Sequence, residues 1–161
     1  MIKFAVGIVV VLFATYCGRA LANKYKVRKM LYADMYAFNV RLLEEIAYGK
    51  RPLEDFCQKY TTAGVFGALL KELLSHRAQR KTLEVDMGEY TFLAEDEKRF
   101  IQEYFSAIGR ADSYSQKAYF AQAANRLQSL KTKGEEECKS RTDLYTKLGF
   151  LAGLAVLIIV V

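Results

Sequence analysis

Phe4-Ala-Val-Gly-Ile-Val-Val-Val-Leu-Phe-Ala-Thr-Tyr-Cys-Gly18 is uncharged and apolar on every helical face. A second run of the same kind, Leu148-Gly-Phe-Leu-Ala-Gly-Leu-Ala-Val-Leu-Ile-Ile-Val-Val161, lies at the other end of the 161-residue chain. A stripe on one face would point to packing on a core, whereas apolarity all round points to lipid. A hydrocarbon core about 30 Å thick needs about 20 residues at about 1.5 Å each. The first run reaches that length by including Ala20 to Ala22 if Arg19 snorkels. The second reaches it if Lys147 snorkels and Tyr145 sits among the headgroups, or if the bilayer thins. The expectation is an all-α chain in which transmembrane helices over 4–22 and 148–161 flank an antiparallel helical bundle over 25–145.

Charge sets the expected topology. Lys3 alone precedes the first run, while Arg19, Lys24, Lys26, Arg28 and Lys29 follow it and Lys139, Arg141 and Lys147 precede the second. Short flanks rich in Lys and Arg stay on the cytoplasmic side, so the bundle is expected in the cytoplasm and both termini outside. The net charge of +6 then calls for an anionic inner leaflet and no nucleic acid. A rival reading takes Ala20-Leu21-Ala22 as a signal-peptidase site, which would send the domain outside. Arg19 and the basic residues after it oppose that. So do Cys17, Cys57 and Cys138, whose spacing makes no disulfide framework.

The middle reads as helix, with one proline, Pro52, and no solenoid repeat. Leu31, Met35, Phe38, Leu42 and Ile46 share one helical face. Gly49 suits a C-terminal cap, and Pro52 the first turn of a short helix to Tyr60. A third helix carries Phe66, Leu69, Leu70, Leu73 and Leu74, with Gly64 and Gly67 around its start. Lys81 to Tyr90 reads as a loop. A fourth helix carries Leu93, Glu97, Phe100, Ile101, Tyr104, Phe105 and Ile108, its acidic start Glu95-Asp96-Glu97 complementing the helix dipole. Gly109-Arg110-Ala111-Asp112 makes a sharp turn. Asp112 or Ser113 opens the last helix, where Ser113-Tyr114-Ser115-Gln116 fits a capping box. Tyr114, Ala118, Ala121 and Leu127 are its expected packing residues, and Lys131 to Asp143 an expected solvated stem running into the second apolar segment.

Chemistry of its own is not expected. There is no phosphate-binding Gly-rich loop and no nucleophile elbow. The single histidine, His76, sits beside Arg77 and Arg80 at a helix end. Glu135-Glu136-Glu137 point in different directions on a helix and suit a solvated face better than a metal. Asp112 is read as a helix cap before a catalytic acid, and Tyr32, Tyr36, Tyr104 and Tyr114 as packing residues before an RNA platform. No catalytic residue, cofactor or metal site is therefore assigned. The one interaction pattern is small-xxx-small: Gly149 and Gly153 in the second segment, echoed by Ala14 and Gly18 in the first. It lets helix backbones approach in lipid.

Three segments together resemble the stage III sporulation protein AB family of endospore-forming bacteria. They are Glu45-Ile46-Ala47-Tyr48-Gly49-Lys50-Arg51-Pro52-Leu53, then Ile108-Gly109-Arg110-Ala111-Asp112 with Gln116, and finally Lys147-Leu148-Gly149-Phe150-Leu151-Ala152-Gly153-Leu154. The Tyr-Gly-x-x-Pro-Leu segment and the Gly-x-x-Asp turn are more distantly similar to the inner-membrane platform protein of type II secretion and type IV pilus machines. The resemblance implies a mother-cell protein in the membrane around the forespore. It would belong to a secretion-like assembly needed after engulfment. Implied partners are a cytoplasmic ATPase of the same operon and other stage III membrane proteins. The expected contact residues are those of the two motif loops: Glu45, Tyr48, Gly49, Lys50, Arg51, Pro52 and Leu53 in one, and Gly109, Arg110, Asp112 and Gln116 in the other. The alternatives are a membrane-tethered adaptor outside sporulation, or a secreted protein with a cleaved leader and a C-terminal anchor.

Overall fold

The structure is a computed structural model that describes residues 2–48, 53–60, 62–78, 87–88, 90–109 and 112–160. For residues 2–8, 10, 53, 54, 77, 78, 157, 159 and 160 the description covers the backbone alone. Five helices follow in order: α1 Ile2–Tyr48, α2 Leu53–Lys59, α3 Gly64–Ala78, α4 Glu95–Ala107 and α5 Ser113–Val160. Among the described residues there is no strand. The expected Lys81–Tyr90 loop falls outside the described residues apart from Met87, Gly88 and Tyr90. Gly49 and Pro52, the expected cap and first-turn residue, lie outside them too.

The chain divides into two compact units. Unit 1 holds residues 1–29 and 133–161, and unit 2 holds residues 30–132.

Unit 2 is the bundle. On its share of α1, Leu31, Met35, Phe38 and Leu42 are fully buried at three- and four-residue spacing, as a helix that must bury one face requires. Phe38 is the hub of an aromatic cluster. Its ring centroid lies 4.9 Å from Tyr60, 5.2 Å from Phe66 and 5.5 Å from Phe56, so α1 is tied to the ends of α2 and α3. Phe66 stacks on Phe105 of α4 at 5.9 Å, and Tyr104 meets Phe120 of α5 edge-on at 5.3 Å. Such pairs contribute about 0.5–1.5 kcal/mol beyond the area they bury.

Two expectations about α5 need correction. Tyr114 is 84% exposed, and Ala118 and Ala121 are exposed as well. The buried face is Gln116, Phe120, Ala123 and Leu127. Both sets are helically spaced, and the one containing Phe120 buries far more apolar surface than an alanine pair can. Nor is Lys131–Asp143 simply a solvated stem: Gly134 is buried, and Glu137 is partly buried in an ion pair with Arg28.

Unit 1 pairs the start of α1 with the end of α5. Arg28 meets Glu137, Tyr25 stacks on Tyr145 at 6.0 Å, and Gly149 lies against Ala14. Rising numbers on one helix meet falling numbers on the other, so the pairing is antiparallel. The ranges expected to be transmembrane, 4–22 and 148–161, are helical wherever described. Among the described residues, however, no helix is long and apolar enough to cross a membrane. The apolar run with described side chains extends only from Val9 to Gly18 on α1 and from Leu148 to Ile158 on α5, with Val10 and Leu157 excepted. Residues 4–8, 10, 157 and 159–161 of the expected spans lie outside the described side chains.

Candidate functional site

The seam of unit 1 is built from its smallest residues. A β-carbon on Gly18 would lie 2.5 Å from the Tyr145 carbonyl oxygen. One on Gly149 would lie 2.7 Å from the Ala14 carbonyl oxygen and 3.4 Å from the Gly18 α-carbon. One on Gly153 would lie 2.8 Å from the Val11 α-carbon. Any side chain at these positions has to part the helices, because the atoms in the way are backbone. Ala14, Gly18, Gly149 and Gly153, the four residues expected to pack membrane helices, are thus brought together within one chain.

Large apolar residues take the opposite side. Leu12, Phe13 and Tyr16 are 65%, 67% and 72% exposed, and Leu148, Leu151 and Ile158 are also exposed. A water-soluble hairpin puts its large apolar side chains between the helices; this one puts glycine there. Two threonine hydroxyls near the seam are satisfied within their own helices. Thr15 Oγ1 donates to the Val11 carbonyl, and Thr146 Oγ1 to the Thr142 carbonyl, each at 2.8 Å. Further along, the Tyr25–Tyr145 stack and the Arg28–Glu137 pair close the hairpin with aromatic and then charged contacts.

The motif loops are described in part. Gly49, Lys50, Arg51, Pro52 and Arg110 lie outside the described residues, and Leu53 opens α2 without a described side chain. Glu45 is half-buried, and Tyr48, near the end of α1, is 88% exposed. Gly109 has φ 74°, the left-handed conformation that glycine adopts without a Cβ clash, and it ends the turn after α4. Asp112 is the N-cap of α5. Its Oδ1 accepts from the amides of Tyr114 and Ser115, both at 3.0 Å, and its Oδ2 from the Ser115 hydroxyl at 2.7 Å. The cap is therefore Asp112 itself and not the Ser113 of the expected capping box. The Ser115 bonds, from amide and then hydroxyl, hold its carboxyl below the ordinary carboxylate value. Gln116 is 5% exposed, so it is a packing residue with little surface for a partner.

One polar node was not anticipated. Asn39 is fully buried, with Nδ2 donating to the Phe120 carbonyl at 3.0 Å and Oδ1 accepting from the Tyr104 hydroxyl at 3.1 Å. It links α1, α4 and α5 at one point. The signal was present in the sequence: Asn39 is four residues after Met35 and three before Leu42, so it stands on the buried face. Burial pushes the Tyr104 hydroxyl well above its ordinary pKa, so it remains a donor. Glu97 is 2% exposed and accepts from the Ala94 amide at 3.1 Å, an N-terminal bond that holds the start of α4. His76 is half-buried near the end of α3. Among the described residues no group of His, Cys, Asp or Glu is placed to hold a metal ion.

A family model described as stage III sporulation protein AB matches residues 3–161. The chain belongs to that family, which gives it a role in sporulation. No curated protein and no solved structure matches it.

Proposed function

We propose that this member of the stage III sporulation protein AB family is a membrane platform subunit of a secretion-like assembly between mother cell and forespore. The paired ends of α1 and α5 form its anchor. The bundle faces the mother-cell cytoplasm and works by contact, docking a cytoplasmic ATPase and other membrane subunits, without chemistry of its own.

The observation that carries the reading is the inverted packing of unit 1: glycine between the helices and Leu12, Phe13, Tyr16, Leu148 and Leu151 outside. In lipid there is no drive to hide large apolar side chains, and close backbone packing holds helices together instead. In water the same surface would be an apolar patch of a kind that soluble monomers rarely expose. The Lys and Arg that follow the anchor on α1 and precede it on α5 support a cytoplasmic bundle.

The docking claim rests on the two motif loops. Lys50 and Arg51 offer two adjacent positive charges in the first motif, and charges at a contact rim set recognition and on-rate more than affinity. Reversing both to Glu is expected to leave helicity intact, to lower recruitment of the ATPase to the membrane, and to block sporulation after engulfment. If the reversal is silent while deletion of the whole chain still blocks sporulation, the ATPase docks elsewhere. Normal sporulation by the deletion strain contradicts the platform reading.

A further inference from the structure

Residues 1–29 and 133–161, which form unit 1, carry ten Lys and Arg against four Asp and Glu. Residues 30–132, which form unit 2, carry fourteen against fourteen. The whole net charge of +6 therefore belongs to the hairpin, and the bundle is balanced.

That charge is confined to a band. Apart from Lys3, every charge of unit 1 lies after Gly18 on α1 or before Leu148 on α5. Arg19, Lys24, Lys26 and Lys29 are exposed, and so are Lys139, Arg141 and Lys147. Of the four acids, Glu137 is held by Arg28 and Asp143 by Lys147. From Arg19 to Lys29 the axis advances about 15 Å. The contacts of Gly18 with Tyr145 and of Arg28 with Glu137 bring the cations of α5 to the same level. On α5 a shallow groove runs past Lys139, Ser140, Leu144 and Lys147, with Glu136 and Asp143 also on its walls.

The band borders directly on apolar surface, because Tyr16 and Leu148 beside it are 72% and 53% exposed. A nucleic acid or an acidic protein would meet this charge in water. The polyanion that meets it beside an apolar phase is the surface of an anionic bilayer. We propose that the collar binds anionic phospholipid headgroups and selects them over zwitterionic ones. The proposal deepens the membrane reading and rests on it. Lys and Arg at a negative leaflet are attracted over about one Debye length, so the selection weakens with salt.

The test uses the full chain and vesicles of equimolar phosphatidylglycerol and phosphatidylcholine, with phosphatidylcholine-only vesicles alongside. After flotation and mild detergent extraction, the lipid retained by the chain is analysed. Enrichment of phosphatidylglycerol by about threefold is expected at low salt, shrinking at high salt. The variant carrying Lys26→Gln, Lys29→Gln, Lys139→Gln and Arg141→Gln should float equally well and retain both lipids in equal ratio, with unchanged helicity by circular dichroism. Lys71→Gln with Lys117→Gln, both exposed on the bundle, should behave as the parent does. Flotation of the parent with an equal lipid ratio overturns the proposal and leaves the membrane reading standing. Displacement of the retained phosphatidylglycerol by an RNA oligonucleotide at low concentration overturns it in favour of a nucleic-acid surface. Failure to float with either vesicle overturns the membrane reading and this inference together.

Discussion

The Tyr104 hydroxyl donates to Oδ1 of Asn39 at 3.1 Å, and both residues are fully buried. Neither can turn to water when the other is removed. Asn39→Ala and Tyr104→Phe should each destabilise the bundle by about 1–3 kcal/mol, because each leaves a buried group unsatisfied. The double variant should cost less than the sum. Leu42→Ala, at a fully buried position, should cost about 2–5 kcal/mol. Urea melts of a fragment spanning 25–145 measure all of these. Additive costs for Asn39 and Tyr104 would show that the bond does not couple them.

Gly149→Leu places a side chain against the backbone of Ala14 and Gly18, and Gly153→Leu does so against Val11. Both leave the segment as apolar as before. Insertion should be normal while the two helix ends separate, at a cost of about 1–3 kcal/mol. A short bismaleimide crosslink between cysteines placed at Tyr25 and Tyr145, whose rings stack across the two helices at 6.0 Å, reports the separation, and an unchanged crosslinking rate would rule the seam out as a packing device.

Asp112 ties pH to the start of α5. Its folded pKa lies below the ordinary value, so the stability it contributes is present above the ordinary carboxylate pKa and is lost as pH falls through the folded one. Asp112→Asn keeps a capping oxygen and should remove that part of the acid sensitivity with little change in neutral stability. Asp112→Ala should lower the melting temperature at neutral pH. Parallel pH profiles for the parent and Asp112→Asn would show that the cap does not titrate as described.

Much of the fold was legible because the buried residues recur at helical spacing. The Leu31–Leu42 face and the Phe100–Phe105 face stand where periodicity put them. The start of α5 was not legible from spacing alone, since Tyr114-Ala118-Ala121 and Gln116-Phe120-Ala123 are both helically spaced; the larger apolar area of Phe120 is what separates them. Arg28 and Glu137 stand 109 positions apart, and nothing local marks them as partners. The glycines of the seam were legible as a pattern. That their partner is the other end of the same chain was not, since small-xxx-small says that a helix approaches and not which one.

Orientation follows from the basic flanks. In a background without native cysteines, Lys133→Cys should resist a membrane-impermeant maleimide in intact cells and react after lysis. Lys133 is exposed, so slow chemistry cannot explain protection. Labelling in intact cells would put the bundle outside and revive a cleaved leader ending at Ala22.

The central claim is that the large apolar side chains of unit 1 face lipid. Phe13 is 67% exposed, on the side of α1 away from the glycine seam. A spin label at Phe13→Cys, in the full chain reconstituted in vesicles and otherwise free of cysteine, can be relaxed by oxygen, which concentrates in bilayers, or by a water-soluble paramagnetic chelate. The account predicts strong relaxation by oxygen and little by the chelate. Relaxation dominated by the chelate would mean that Phe13 faces water, and the anchor would have to be abandoned.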